Sequence, residues 1–121
     1  MTDSKYVISI QPGYVLVEEP RDYEVVWAEQ PAKLQKLAAT CREADTRKVI
    51  VKGSTVNVKL SMMEILMLSK EIAKVGLNVA IITKHDLTKE HEALFKDIAT
   101  NRGSPIQFFG NERDAKNWLA I

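Results

Sequence analysis

The chain has 121 residues, of which 45% are hydrophobic and 27% charged, and its net charge is +1 at pH 7. This length and composition suit a single domain over residues 1–121 with one hydrophobic core, and they exclude collagen-like, low-complexity and extensively disordered chains. Because there is no basic excess, no apolar run of about 20 residues and no secretory signal pattern, we expect a cytoplasmic protein without a nucleic-acid partner and without stable membrane insertion.

Two short runs of β-branched and aromatic residues near the N-terminus predict an antiparallel hairpin at an edge of the sheet. The runs are Tyr6–Ile10 and Tyr14–Val17, and Gln11-Pro12-Gly13 between them has the chemistry of a turn. Residues 18–30 stay undecided, because Val25–Trp27 suits either a short strand or the approach to a helix.

A first helix is predicted to begin at Pro31, since proline suits the first helical position. Apolar residues then recur at helical spacing and are expected to face inward: Leu34, Leu37, Ala38, Cys41 and Ala44. Cys41 is the single cysteine, so no internal disulfide can form. Its place in this apolar row favours a buried core residue over a reactive nucleophile.

Strands and helices are predicted to alternate in the second half of the chain. Val49–Val51 and Val79–Ile82 lack polar alternation, which is typical of central parallel strands that helices cover on both faces. Ser61 and Glu64 have the spacing of a capping box, which predicts a helix that Gly76 ends. The later predicted elements are a helix over 87–98, a strand over 105–109 and a final helix capped by Asn111, with Ala115, Trp118 and Leu119 facing inward.

These elements predict an α/β fold with one open mixed sheet of about five strands and about four helices on both faces. The N-terminal hairpin is antiparallel in this prediction and the strands that follow are parallel. Sheets of this kind bind ligands beyond the carboxyl ends of their parallel strands. In this sequence, those ends lead into loops that contain Ser54, Thr55 and His85.

Several short motifs resemble the bacterial STAS-like family, which is related to the SpoIIAA-type anti-sigma-factor antagonists of sporulation. The residues that carry the resemblance are Ala99–Gly103 at a helix end, Phe108-Phe109 at a strand end, Glu112, Ala115 and Trp118-Leu119 in the last helix, and Leu60–Glu64 before the middle helix. The resemblance covers nearly the whole chain. It implies a SpoIIAA/STAS-like fold and a non-enzymatic protein-interaction or regulatory module without a cofactor.

One departure from that family concerns the start of the middle helix. In the antagonists this helix begins with an Asp-Ser-Ser-Gly type motif, whose serine a partner kinase phosphorylates. The matching residues here, Val56–Ser61, contain no such motif. Ser61 lies near the matching position, and two roles stay open for it: the cap of the helix, with Glu64 as its partner, or a regulated serine.

Four polar residues are the candidates for a small-anion or apolar, lipid-like ligand site, which is the alternative function: Ser54, Thr55, His85 and Arg102. Each also has a structural interpretation. The loop with Ser54 lacks the spacing of a phosphate loop, His85 precedes an Asp86 that can open a helix, and Arg102 can pair with a nearby acid. Adjacent His and Asp side chains seldom form a catalytic pair, and one Cys with two His supplies no metal-ligand set. We therefore expect neither an enzyme nor a metal site.

The middle helix carries a candidate interaction surface. Helical spacing places one broad face inward: Met62, Ile65, Leu66, Ser69, Ile72 and Ala73. Met63 and Met67 fall instead on the polar side, next to Lys70 and Lys74. Methionines repack easily against a partner, so this row suits contact with a protein or with a second copy in a homodimer. Cover by a neighbouring part of the chain is another interpretation, and membrane contact, which would need a lipid pocket or additional anchors, is the third.

Overall fold

The computed structural model describes residues 6–20, 23–53, 58–82 and 105–121. The strands are β1 (Val7–Gln11), β2 (Tyr14–Glu18), β3 (Val25–Val26), β4 (Lys48–Lys52), β5 (Val58–Lys59), β6 (Asn78–Ile82) and β7 (Ile106–Phe109). The helices of this part of the chain are α1 (Gln30–Ala44), α2 (Met62–Lys74) and α3 (Glu112–Leu119), and a 3-10 turn (Trp27–Glu29) precedes α1.

Five of the strands form one mixed sheet in the order β1-β2-β4-β6-β7. β1 and β2 are antiparallel, whereas β2, β4, β6 and β7 run parallel to one another. The predicted α/β sheet with an antiparallel hairpin at its edge is therefore confirmed. The predicted total of about four helices is not reached by the three described ones, and the helix expected over 87–98 lies outside the described residues.

The segment that the sequence left undecided contains both of the structures considered for it. Val25 and Val26 form the short strand β3, and the 3-10 turn after it leads directly into α1. β3 pairs in parallel with β5, through Val25 opposite Val58 and Val26 opposite Lys59. This separate pair was not predicted, because runs of two residues carry no pattern of their own.

A two-residue loop closes the hairpin between β1 and β2. Gln11 and Tyr14 are direct partners across the ladder, so Pro12 and Gly13 form the loop between them. Gly13 has a φ of 86°, a left-handed conformation that glycine adopts without strain. Proline followed by such a glycine is the sequence of a type II turn.

The sheet is covered by helices on both faces, as predicted. On one face, α1 and α2 pack on the strands through a buried cluster: Val15, Val17, Leu37, Cys41, Val49, Ile65, Ile72, Leu77, Val79 and Ile106. On the other face, α3 packs through a second cluster: Leu16, Ile50, Ala80, Ile82, Ala115 and Leu119. Neighbouring residues such as Val49 and Ile50 are thus fully buried on opposite faces, which is why the run has no polar alternation.

The predicted ends of α2 and the predicted start of α3 are confirmed. Ser61 Oγ accepts a hydrogen bond from the Glu64 amide at 3.1 Å, and a Glu64 carboxylate oxygen accepts one from the Ser61 amide at 2.9 Å, which completes the capping box of α2. Gly76 follows α2 with a φ of 75°. Asn111 caps α3 by accepting a hydrogen bond from the Asp114 amide at 2.8 Å.

Two details of the predicted inward faces are wrong. In α2 the buried residues Ile65 and Ile72 are joined by the partly buried Leu68, while Leu66 and Ala73 are exposed. Leu68 is one turn from both isoleucines, so the stripe is rotated relative to the expected face. In α3, Trp118 is exposed at its edge and lies against the ring of Phe109, with 5.8 Å between the ring centroids.

Candidate functional site

The described residues contain only part of the predicted sites. Ser54, Thr55, His85 and Arg102 lie outside them, so the ligand-site prediction stays a prediction. Ser61 is described, as are the four residues of the predicted interaction surface, Met63, Met67, Lys70 and Lys74. The structure also places together a group of residues that the sequence analysis did not single out.

Ser61 is exposed at the start of α2, where its hydroxyl and backbone amide both take part in the capping box with Glu64. This geometry confirms the structural role that the sequence predicted for it. A phosphate on Ser61 would lie close to the Glu64 carboxylate, which would repel it. Regulation through Ser61 stays a prediction.

An apolar strip is exposed along α2. It consists of Met63, Leu66 and Met67, whose exposed fractions are 66%, 42% and 45%, and we call it the α2 strip. Spacings of three and four residues place the three side chains on one side of the helix. Lys70 and Lys74 continue toward the C-terminal end and are exposed, and Lys74 Nζ lies 3.6 Å from a Glu71 carboxylate oxygen.

A buried ion pair lies at the carboxyl end of β2. Glu19 directly follows β2, and its amide donates a hydrogen bond to the Lys52 carbonyl at the end of β4, at 2.9 Å. Its carboxylate lies 2.5 Å from Lys33 Nζ of α1, and the two side chains are only 9% and 11% exposed. The pair therefore joins α1 to the carboxyl edge of the sheet.

Two tyrosines surround the ammonium of Lys33. Lys33 Nζ lies 4.8 Å from the ring centroid of Tyr6 and 4.7 Å from that of Tyr23, and the two rings meet edge to face. Lys33 also donates to the Tyr23 hydroxyl at 3.3 Å, and this hydroxyl donates to a Glu29 carboxylate oxygen at 2.9 Å. We call these residues, Tyr6, Glu19, Tyr23, Glu29 and Lys33, the Lys33 cluster.

The titration of the tyrosines and the thiol limits the chemistry that these groups can perform. Burial raises the pKa of Tyr23, and its hydrogen bond to Glu29 and the nearby carboxylate charges raise it further. Burial and the charge of Glu29 also raise the pKa of Tyr6. Burial raises the pKa of the Cys41 thiol to about 11. At neutral pH all three groups are protonated, so Tyr23 can donate its hydrogen bond to Glu29 and the thiol serves as a core residue.

Gly53, directly after β4, allows the backbone at this position to approach Glu19 of the Lys33 cluster closely. A Cβ atom at this position would lie 2.9 Å from the Cβ of Glu19 and nearer still to one of its carboxylate oxygens. Such distances are shorter than a van der Waals contact, so only glycine fits while Glu19 keeps its place. The packing of Glu19 is a structural reason for this glycine.

A second set of ion pairs lies on the α3 side of the same edge. Lys52 pairs with Glu112 in the first turn of α3, and Lys116 Nζ lies 3.4 Å from the other Glu112 carboxylate oxygen. The hydrogen bond between them raises the pKa of Lys52 and lowers that of Glu112. The two lysines described at this edge, Lys33 and Lys52, are thus each paired with a carboxylate.

The sequence alone does not reveal the Lys33 cluster, because its members are far apart in the chain and three of them, Glu19, Tyr23 and Glu29, lie in the undecided segment. One local signal was present: Lys33 precedes the inward residue Leu37 by one helical turn, which places it on the inward side of α1. Among the described residues, no group of three or more His, Cys, Asp or Glu is placed to hold a metal ion.

Comparisons of the chain with models of known protein families and with curated protein sequences find no match. The resemblance to STAS-like proteins therefore stays a prediction. No helix in the described ranges is both long and apolar enough to cross a membrane.

Proposed function

We propose that this protein is a non-enzymatic, STAS-like interaction module that binds a partner protein through the α2 strip. The observation that carries the proposal is the exposure of Met63, Leu66 and Met67 side by side on one helix. Apolar side chains of this size exposed in a row are a feature of recognition surfaces.

The chemistry of the surface specifies the kind of partner. From Met63 to Lys74 the surface spans about three turns of helix, a length that suits an amphipathic helix of the partner laid along α2. Lys70 and Lys74 lie at one end of the strip. We therefore propose a partner helix with apolar residues every three or four positions, followed by acidic residues that meet these lysines.

The binding of two designed peptides, compared in separate titrations, tests this proposal. The probe is a helical peptide of about four turns, with leucines at positions i, i+4 and i+7 and glutamates beyond them, and its matched control carries lysines in place of the glutamates. Binding to the full chain is followed by chemical-shift changes in a titration. We expect the acidic peptide to bind more tightly and to shift the resonances of α2.

Variants of the chain locate the binding surface. Met67→Lys is expected to weaken binding of the acidic peptide by about tenfold or more. Ile121→Lys, which also replaces an exposed apolar residue, serves as the control and is expected to leave binding unchanged. Equal binding of both peptides, or shifts that map away from α2, would contradict the proposal.

A further inference from the structure

The outer strand β1 presents backbone groups that have no hydrogen-bond partner in the described part of the chain. Gln11 and Tyr14 flank a two-residue loop, so they form a hydrogen-bonded pair. Along an antiparallel ladder, such pairs alternate with pairs that exchange no backbone hydrogen bonds. Val7, Ser9 and Gln11 therefore bond to β2, whereas Ile8 and Ile10 direct their N–H and C=O groups away from it. Within residues 6–20, 23–53, 58–82 and 105–121, no hydrogen bond reaches these outward groups of Ile8 and Ile10.

β1 also lacks the features that usually prevent an edge strand from pairing. Its sequence, Val-Ile-Ser-Ile-Gln, contains no charged residue and no proline. Its register with β2 is continuous, without a bulge. The exposed fractions of Val7 and Ile10 are 58% and 49%. Natural proteins protect exposed edges with charges, prolines or bulges, and an edge without them is ready to accept another strand.

We propose that β1 pairs in antiparallel fashion with β1 of a second copy of this chain, so that one sheet continues across the dimer. The pairing is centred on Ser9. It places Ile8 of each copy opposite Ile10 of the other, so the outward backbone groups of these residues satisfy one another. The inference rests on the described sheet and does not depend on the partner proposed for α2.

The side chains of β1 match their own copies in this register. Ile8 and Ile10 lie on the face covered by α1, because they are opposite the buried residues Val17 and Val15. Opposing isoleucines are favourable cross-strand pairs. On the other face, Ser9 meets Ser9 of the second copy at the close spacing of a pair without backbone hydrogen bonds, where their hydroxyls can bond. No like charges meet within the strand, which favours a second copy as the occupant.

The helix on this face leaves room for the second copy. α1 packs on both β1 and β2. Across the proposed twofold axis, the two α1 helices would therefore lie between two and three strand spacings apart, or about 10–14 Å. Packed helices approach to about 8–10 Å, so the two helices fit beside each other without overlap. The contact is small, so we expect an equilibrium between monomer and dimer.

The test is the solution mass of the full chain from micromolar to millimolar concentration, measured by sedimentation equilibrium. We expect the mean mass to rise toward that of a dimer. Ile10→Pro removes an outward N–H group that β2 does not use, and it is expected to abolish the rise. Circular dichroism checks that the variant is folded, and Ile10→Lys, which adds a charge to the edge, is a second variant with the same expected result. Met67→Lys is the matched control and is expected to dimerise normally.

A second measurement examines the register directly. In a sample that mixes isotopically labelled and unlabelled chains, the proposed pairing predicts a nuclear Overhauser effect between the Hα atoms of Ser9 in the two copies. A monomeric mass at every concentration would overturn the proposal. So would a dimer that survives both Ile10 variants, or one that only Met67→Lys abolishes. The last result would place self-association on the α2 strip instead.

Discussion

Replacement of Lys33 by methionine tests whether the Lys33 cluster stabilises the fold. Methionine keeps most of the length of the side chain but leaves the Glu19 carboxylate without its cation. Breaking a buried ion pair by removing one partner costs about 3–5 kcal/mol. Since the two side chains are 11% and 9% exposed, some water reaches them, and we expect the lower end of that range, about 3 kcal/mol. For a chain of this length the melting temperature should fall by about 10 °C.

The assay is urea unfolding at pH 7, with thermal unfolding as a second measure. Lys36→Met is the matched control, because Lys36 is exposed on the same helix and its ammonium lies 6.0 Å from the Tyr6 ring. We expect this control to change the free energy of unfolding by less than about 0.5 kcal/mol. The double variant Lys33→Met with Glu19→Leu removes both charges and should recover most of the lost stability.

Two results would refute this reasoning. One is a loss in Lys33→Met no larger than the loss in Lys36→Met, which would mean that the ion pair makes no net contribution. The other is a double variant as unstable as the sum of its single variants, because residues that interact directly do not give additive losses. In that case the cost would come from the packing of each side chain and not from an unpaired charge.

Three further predictions concern other positions. Gly53→Ala should lower the free energy of unfolding in urea by about 1–3 kcal/mol, because a Cβ atom there meets Glu19. Gly110→Ala is the control: a Cβ atom at Gly110 meets nothing within 4 Å, and the free energy of unfolding should change by less than about 0.5 kcal/mol. Equal losses in the two variants would contradict the close approach at Gly53. Cys41 should react with a thiol reagent at pH 8 at least about 100-fold faster in the unfolded chain than in the folded one, because burial raises the pKa of its thiol to about 11; rapid labelling of the native protein would refute this. Glu112→Gln should cost at most about 1 kcal/mol at pH 7, since the pair is partly exposed. The folded protein holds the pKa of Glu112 below its unfolded value. The loss of stability in Glu112→Gln is therefore present above about pH 4.5 and should disappear as the pH falls through the folded pKa. A loss that is constant with pH would refute this prediction.

The elements that the sequence predicted well are those whose signals are local. The run around Val49 lacks polar alternation because both faces of its strand are covered, and the capping box and Gly76 mark both ends of α2 within a few residues. The hairpin turn is equally local, since proline and glycine at Pro12 and Gly13 determine its conformation.

The features that the sequence analysis missed depend on contacts between distant residues. Lys33 and Glu19 are fourteen positions apart, and only the folded chain shows that the lysine meets a carboxylate. The placement of Leu66 was wrong for a different reason. A helix with apolar residues around much of its circumference allows several inward faces, and packing on the sheet selects the one that contains Leu68. This choice adds Leu66 to the exposed methionines.

The two proposed surfaces can act together because β1 and α2 lie at different positions across the sheet. β1 is its outer strand, whereas α2 leads into β6, which β2 and β4 separate from β1. Pairing through β1 would therefore leave both α2 strips of a dimer accessible. A partner with two acidic amphipathic helices could bind both copies at once, and the second contact would then form at a high effective concentration. Even a weak dimer would in this way strengthen the binding of a bivalent partner without any change at α2.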